Sequence, residues 1–202
     1  DCYEPGILLA GGKPVHVALA AGSFAPDFDA IAAAITPRTR AILVNTPHNP
    51  TGMVVTEADV RALADVLAPT AALVISDEVY EHLVYDGVRH ESLARHPELA
   101  ARTAVISSFG KSFHPTGWKI GFVAAPASIN AEIQRVHQFV TFAVNTPVQH
   151  AYAEFLERGI DFVEHADRRG VGQEHGEDKR HSRQRLFAAG EQCHGLRLLA
   201  GR

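Results

Sequence analysis

An α/β fold, with a mostly parallel sheet flanked by helices, is predicted by three features of the sequence. Short apolar runs of strand length alternate with longer segments of helical spacing, as in strands that feed crossover helices. Each run is β-branched or small and ends on polar or turn residues. No internal repeat breaks the order.

The expected strands are Val15–Ala20, Ala41–Asn45, Ala71–Ser76, Ala104–Ser107 and Ile120–Ala125. Between the second and third, Thr56–Leu67 reads as a surface-docked helix. Thr56 is its cap, Asp59 stands three positions on, and Val60, Leu63, Ala64 and Leu67 form one apolar face. A second helical pattern, from about Ile129 to Leu156, carries Ile133, Val136, Val140, Val144 and Val148, and Pro147 is expected to kink or break it.

Composition narrows the partners. The chain has 202 residues, 46% of them apolar and 21% charged, enough for one sizeable core and unlike a disordered chain or a coiled coil. Its 19 basic and 23 acidic residues give a net charge of −4 and are mixed along the chain, so no basic field exists for nucleic acid. No stretch reaches the roughly 20 apolar residues of a membrane helix. The start, Asp1-Cys2-Tyr3-Glu4-Pro5, has no signal-peptide pattern. With only Cys2 and Cys193, at opposite ends, a reduced cytoplasmic setting is expected.

Past Leu156 the pattern changes. Of the 29 residues from Glu157 to Arg185, 14 are Asp, Glu, Lys or Arg, so this segment buries little by itself. We therefore divide the chain into a domain at 1–156 and a charged, divergent tail or incomplete start of a second domain at 157–202. Apolar residues return at Leu196–Ala200. Histidines 165, 175, 181 and 194 are spaced by 10, 6 and 13, which matches no metal-ligand set, and no metal site is expected.

Three polar clusters follow three of the strands, where ligands collect in open α/β sheets. In Asn45–Gly52 two prolines and a glycine make a rigid turn that presents the Asn49 amide. Taken alone it is also a plain structural turn. Asp77, in Ser76-Asp77-Glu78-Val79-Tyr80, ends a buried run, where a carboxylate needs a cation or donors; a helix cap is the competing explanation. If a helical turn began at Asp77, Tyr80 would share its face. Lys111, in Ser107–Phe113, is flanked by Phe109, Phe113 and Trp118, and a lysine in apolar surroundings can react as a neutral amine toward an aldehyde. A solvated surface lysine is the ordinary alternative, and Trp118 itself reads as core.

Asn, Asp, Tyr and Lys at consecutive strand ends are the set a pyridoxal phosphate site needs. With the N-P-T-G turn at Asn49–Gly52, the S-D-E-V-Y run, and S-x-x-K followed by T-G-W-K-x-G at Ser108–Gly121, the chain resembles the large domain of fold-type I, class I aminotransferases. Separations of 28 residues from Asn49 to Asp77 and 34 from Asp77 to Lys111 agree. The runs D-C-Y-E-P at the start and V-H-Q-F-V-T-F-A-V-N-T-P at Val136–Pro147 resemble the kynurenine and methionine aminotransferase branch. The resemblance covers about residues 1–156.

The resemblance implies a pyridoxal 5'-phosphate enzyme of amino acid metabolism or biosynthesis, homodimeric, moving an amino group from a methionine-like, aromatic or kynurenine-like amino acid to a 2-oxo acid. By it, Lys111 forms the internal aldimine and shuttles the proton. Asp77 partners the ring nitrogen, Asn49 and Tyr80 donate to the phenolic oxygen, and Ser108 and Lys119 bind the phosphate. Lys119 stands where Arg is usual in the wider class, replacing a fork with a point charge.

It also implies missing parts. A complete relative is about twice as long. The ring-stacking aromatic and phosphate loop would lie upstream, and the arginine for the substrate carboxylate downstream, where nothing in 157–202 matches. The small domain is thus incomplete, and an isolated chain is expected to lose substrate orientation. Three alternatives stay open: a cysteine-conjugate β-lyase using the same Lys111, a catalytically silent module with this fold, and an inert truncated product.

Overall fold

The computed structural model describes residues 2–157 and 197–200. Its strands are β1 (Lys13–His16), β2 (Thr39–Asn45), β3 (Leu73–Asp77), β4 (Thr103–Ser108), β5 (Gly121–Ala124) and β6 (Arg197–Ala200). They form one mixed sheet in the order β1-β6-β2-β3-β4-β5. β2, β3 and β4 are parallel, β5 is antiparallel to β4, and β6 is antiparallel to both β1 and β2. Four strands therefore run one way and two against them.

The helices are α1 (Tyr3–Leu9), α2 (Phe28–Ala34), α3 (Glu57–Leu67), α4 (Pro97–Ala100), α5 (Phe109–Ser112), α6 (Ala127–Val140) and α7 (Thr146–Glu157). α3 forms as its sequence directs. Thr56 Oγ1 accepts from the Asp59 N–H and Asp59 Oδ2 accepts from the Thr56 N–H, a reciprocal cap. Its Val60, Leu63, Ala64 and Leu67 pack with Ile31 of α2 and with Ile42, Val44 and Val74 of the sheet. This layer is the core. Burying each such aliphatic side chain contributes roughly 1.5–3 kcal/mol.

Differences from the sequence expectation have local causes. β1 stops at His16, where its pairing with Arg197 ends, so residues 17–20 leave the sheet although Val17 stays buried. The long helical pattern is two helices. The break spans residues 141–145, with Phe142 at φ 64°, and Pro147 lies in the first turn of α7, where its missing N–H costs nothing. Residues 197–200, within the segment set apart by composition, form β6 between β1 and β2. The four tail histidines and the run 158–196 lie outside the described residues.

Among the described residues no helix is long and apolar enough to cross a membrane, and no three His, Cys, Asp or Glu side chains group as a metal site.

Candidate cofactor site at the strand ends

The strand register sets the site. Asn45, the last residue of β2, is opposite Asp77, the last of β3, and Asp77 is opposite Ile106 near the end of β4. The turns after these strands therefore open on one rim. β5 enters at that rim, with Gly121 opposite Ser108, so Lys119 approaches from the antiparallel side.

Each turn is held by backbone-directed bonds. Asn45 Nδ2 donates to the Asp77 carbonyl at 3.0 Å, and Asn45 Oδ1 accepts from the Asn49 N–H at 2.9 Å. Asn45 thus couples β3 to the Asn49 turn. Below it, Thr46 Oγ1 accepts from the Val55 N–H, and buried His48 places Nδ1 2.8 Å from Thr51 Oγ1. Burial without a charged partner pushes His48 below its ordinary value of 6.5. Asn49 Nδ2 donates to Tyr80 Oη at 3.3 Å.

No helix begins at Asp77. Its Oδ1 accepts from the Val79 N–H at 3.2 Å in a tight turn, and its Oδ2 accepts from the Tyr3 hydroxyl of α1. Tyr80 reaches Asn49 through this turn, not along a helix face. The next residue, Glu78, is 1% exposed. Its carboxyl accepts from Ser76 Oγ at 2.7 Å, Ser92 Oγ at 3.1 Å and the Leu93 N–H at 3.2 Å, and His90 Nε2 lies 2.8 Å away. Glu78 ties the segment after Tyr80 back to the sheet.

Lys111 lies in α5, exposed, with Nζ 5.6 Å from the centroid of the Tyr80 ring. The aromatic crowding expected around it goes elsewhere. Phe109 and Phe113, four residues apart, share one side of the turn and pack on Tyr152 at 4.6 and 5.9 Å, while Lys111, midway between them in sequence, projects differently. Trp118 is not core either: it is 55% exposed and meets Tyr152 edge-on. Ser108 Oγ is 3.5 Å from the Ile120 carbonyl, and Lys119 is exposed at φ 54°.

The six expected residues therefore stand at the strand ends and in the segments next to them along one rim, and the contacts directly join Asn49 to Tyr80 and Tyr80 to Lys111. Asn45, Glu78, His90 and Tyr3 support the rim as well, through contacts that the motifs do not specify. Asn45 had a signal, a polar side chain closing an apolar strand. Tyr3 had none beyond its place in a quoted motif, because its partner is 74 positions away.

This donor set fits pyridoxal phosphate. It offers an amine, a carboxyl with acceptor capacity left, an amide and phenol already within reach of each other, and a hydroxyl and a cation on the same rim.

Residues 1–193 match the family aminotransferase class I and II. The chain is 47% identical over 156 residues to a methionine aminotransferase of Escherichia coli, and 40% identical over 169 residues to kynurenine–oxoglutarate transaminase 1 of Rattus norvegicus. These alignments cover 77% and 78% of this chain and 40% of each relative. A solved E. coli structure described as having a methionine aminotransferase function superposes with a TM-score of 0.76 at 47% identity, over 78% of this chain and 42% of that one. An aromatic aminotransferase from Pyrococcus horikoshii gives 0.76 at 38% identity, covering 81% and 44%. The chain thus spans about two fifths of the length of the proteins it matches, and the shared architecture is the fold-type I aminotransferase sheet. By sequence and by fold, this chain belongs to the class I and II aminotransferases.

Proposed function

We propose that the chain carries the cofactor-binding part of a pyridoxal phosphate-dependent aminotransferase acting on an L-amino acid and a 2-oxo acid. The observation that carries this reading is the rim itself: Asn49 bonded to Tyr80, Lys111 above the Tyr80 ring, and the Asp77 carboxyl at the end of the neighbouring strand. When bound, the cofactor supplies an electrophilic carbonyl and a ring that takes up charge from the substrate α-carbon.

The chain's own residues do the rest. Lys111 Nζ, on a flexible stem and open to solvent, is the covalent attachment point and the proton carrier; a positioned carrier of this kind is worth roughly 10²–10⁴ in rate. Asp77 accepts the ring N–H, and its charge keeps that proton in place. Asn49 Nδ2 and Tyr80 Oη donate to the phenolic oxygen. Ser108 and Lys119 hold the phosphate, Lys119 as a point charge.

Methionine-like, aromatic or kynurenine-like donors are proposed from the similarity to the E. coli and rat proteins. We assign residues 1–156 to a partial large domain and 157–202 to the divergent tail or incomplete start of the small domain, of which residues 197–200 pair with the large-domain sheet. The setting is cytoplasmic. α6 buries none of its side chains, and Val136, Phe139, Val140 and Phe142 are 64–86% exposed, which supports a homodimer in which a second copy covers them.

The test is a visible absorbance titration of the purified chain with pyridoxal phosphate, beside Lys111→Ala, followed by borohydride reduction and mass mapping. A yellow band that depends on Lys111 and is trapped there is expected. Equal labelling of scattered lysines in both proteins overturns the assignment.

A further inference from the structure

We propose that Tyr3 is a positioning residue for Asp77, its hydroxyl fixing the carboxyl that receives the ring N–H of pyridoxal phosphate. The proposal rests on the cofactor reading above and adds to it a residue with no assigned role.

Asp77 Oδ2 accepts from Tyr3 Oη, and Oδ1 accepts from the Val79 N–H at 3.2 Å. One donor comes from the turn after β3 and the other from α1, so rotation about both side-chain torsions of Asp77 is opposed from two directions. A carboxylate has about four acceptor positions, so each oxygen keeps one for the cofactor. A donor to an anion also makes a charge-assisted bond, roughly twice as strong as a neutral one.

The position of Tyr3 is itself held. Ile7 of α1 is buried, and Glu4 Oε2 lies 3.3 Å from His16 Nε2 at the end of β1. α1 therefore stands against β1 while its first residue reaches past β6 and β2 to β3. Tyrosine suits this span, because its rigid ring carries a hydroxyl far from the backbone at little entropic cost. Phenylalanine would keep the ring and lose the hydroxyl that donates to Asp77.

The test is a double-mutant cycle on cofactor affinity in the 202-residue chain: wild type, Tyr3→Phe, Asp77→Asn and the pair, titrated with pyridoxal phosphate. Tyr3→Phe is expected to weaken binding by about tenfold in the wild-type background. In the Asp77→Asn background its effect should fall below about twofold, because the acceptor it acts through has changed. Binding of the analogue with CH in place of the ring nitrogen should likewise change by less than about twofold. Tyr3→Leu repeats the cycle without the ring, and circular dichroism checks that every variant is folded.

Equal weakening in both backgrounds, or with both cofactors, overturns the proposal and leaves Tyr3 a packing residue. Superimposable titrations of wild type and Tyr3→Phe overturn it as well. A wild-type chain with no Lys111-dependent band instead defeats the cofactor reading, and this proposal with it.

Discussion

His48 shows what one side chain costs at the base of this rim. It is 5% exposed and bonded to Thr51, and burial pushes its pKa below the ordinary 6.5. The unfolded chain therefore binds a proton that the folded chain refuses. The stability His48 contributes is complete above pH 6.5 and is lost as pH falls through that value toward the lower folded one. His48→Gln keeps a polar group there without the titration. Its thermal midpoint should fall less than that of wild type between pH 7 and pH 5, and equal slopes would remove His48 from the account. At this scale the sequence was legible wherever chemistry is local. Asn49, Asp77 and Lys111 stood out because polar groups closed apolar runs. The surroundings of Lys111 were not legible, since the side on which Phe109 and Phe113 pack depends on Tyr152, some forty residues later. Tyr152 itself buries a hydroxyl that has no hydrogen-bond partner among the described residues, and burial raises its pKa.

The turns act as elements through two anchors. Glu78 takes three hydrogen bonds and the contact with His90 from residues 76 to 93, so it closes the segment that carries Tyr80. Glu78→Ala leaves those groups without an acceptor in a buried place, and the expected cost is about 3 kcal/mol. Urea denaturation measures it, and a loss below about 1 kcal/mol would mean that water replaces the carboxyl. Gly121 is the second anchor. A Cβ there would lie 2.5 Å from the Ser107 carbonyl oxygen, inside the β4–β5 pairing. Gly121→Ala must push β5 outward, costing about 1–3 kcal/mol and moving Lys119 with it. A variant as stable as wild type would show that β5 is not held at that distance. Elements with a strong period, such as α3 and the three parallel strands, were readable from the chain. The α6–α7 division was not, because the apolar spacing continues through the break and only the turn at residues 141–145, with its left-handed Phe142, interrupts it.

Across the whole molecule, the sheet depends on a strand from the end of the chain. β6 lies between β1 and β2, so among the described residues β1 has no other strand partner. The charged surroundings of β6 in the chain give no sign of this, because composition carries no information about which strands a four-residue segment will pair with. Strand pairing supplies its backbone with partners, and an unpaired buried backbone group costs about as much as a lost hydrogen bond. A chain ending at residue 196 would leave β1 joined to the sheet only through its neighbouring turns and α1. Hydrogen exchange should then accelerate at residues 13–16 while β3 and β4, paired on both sides, stay protected. Because α1 stands against β1 and carries Tyr3, the same truncation should loosen the Tyr3–Asp77 bond and weaken pyridoxal phosphate binding. Unchanged exchange at residues 13–16 would show that β1 does not rely on β6. Faster exchange with undiminished cofactor binding would show that α1 holds Tyr3 in place without the strand that follows it.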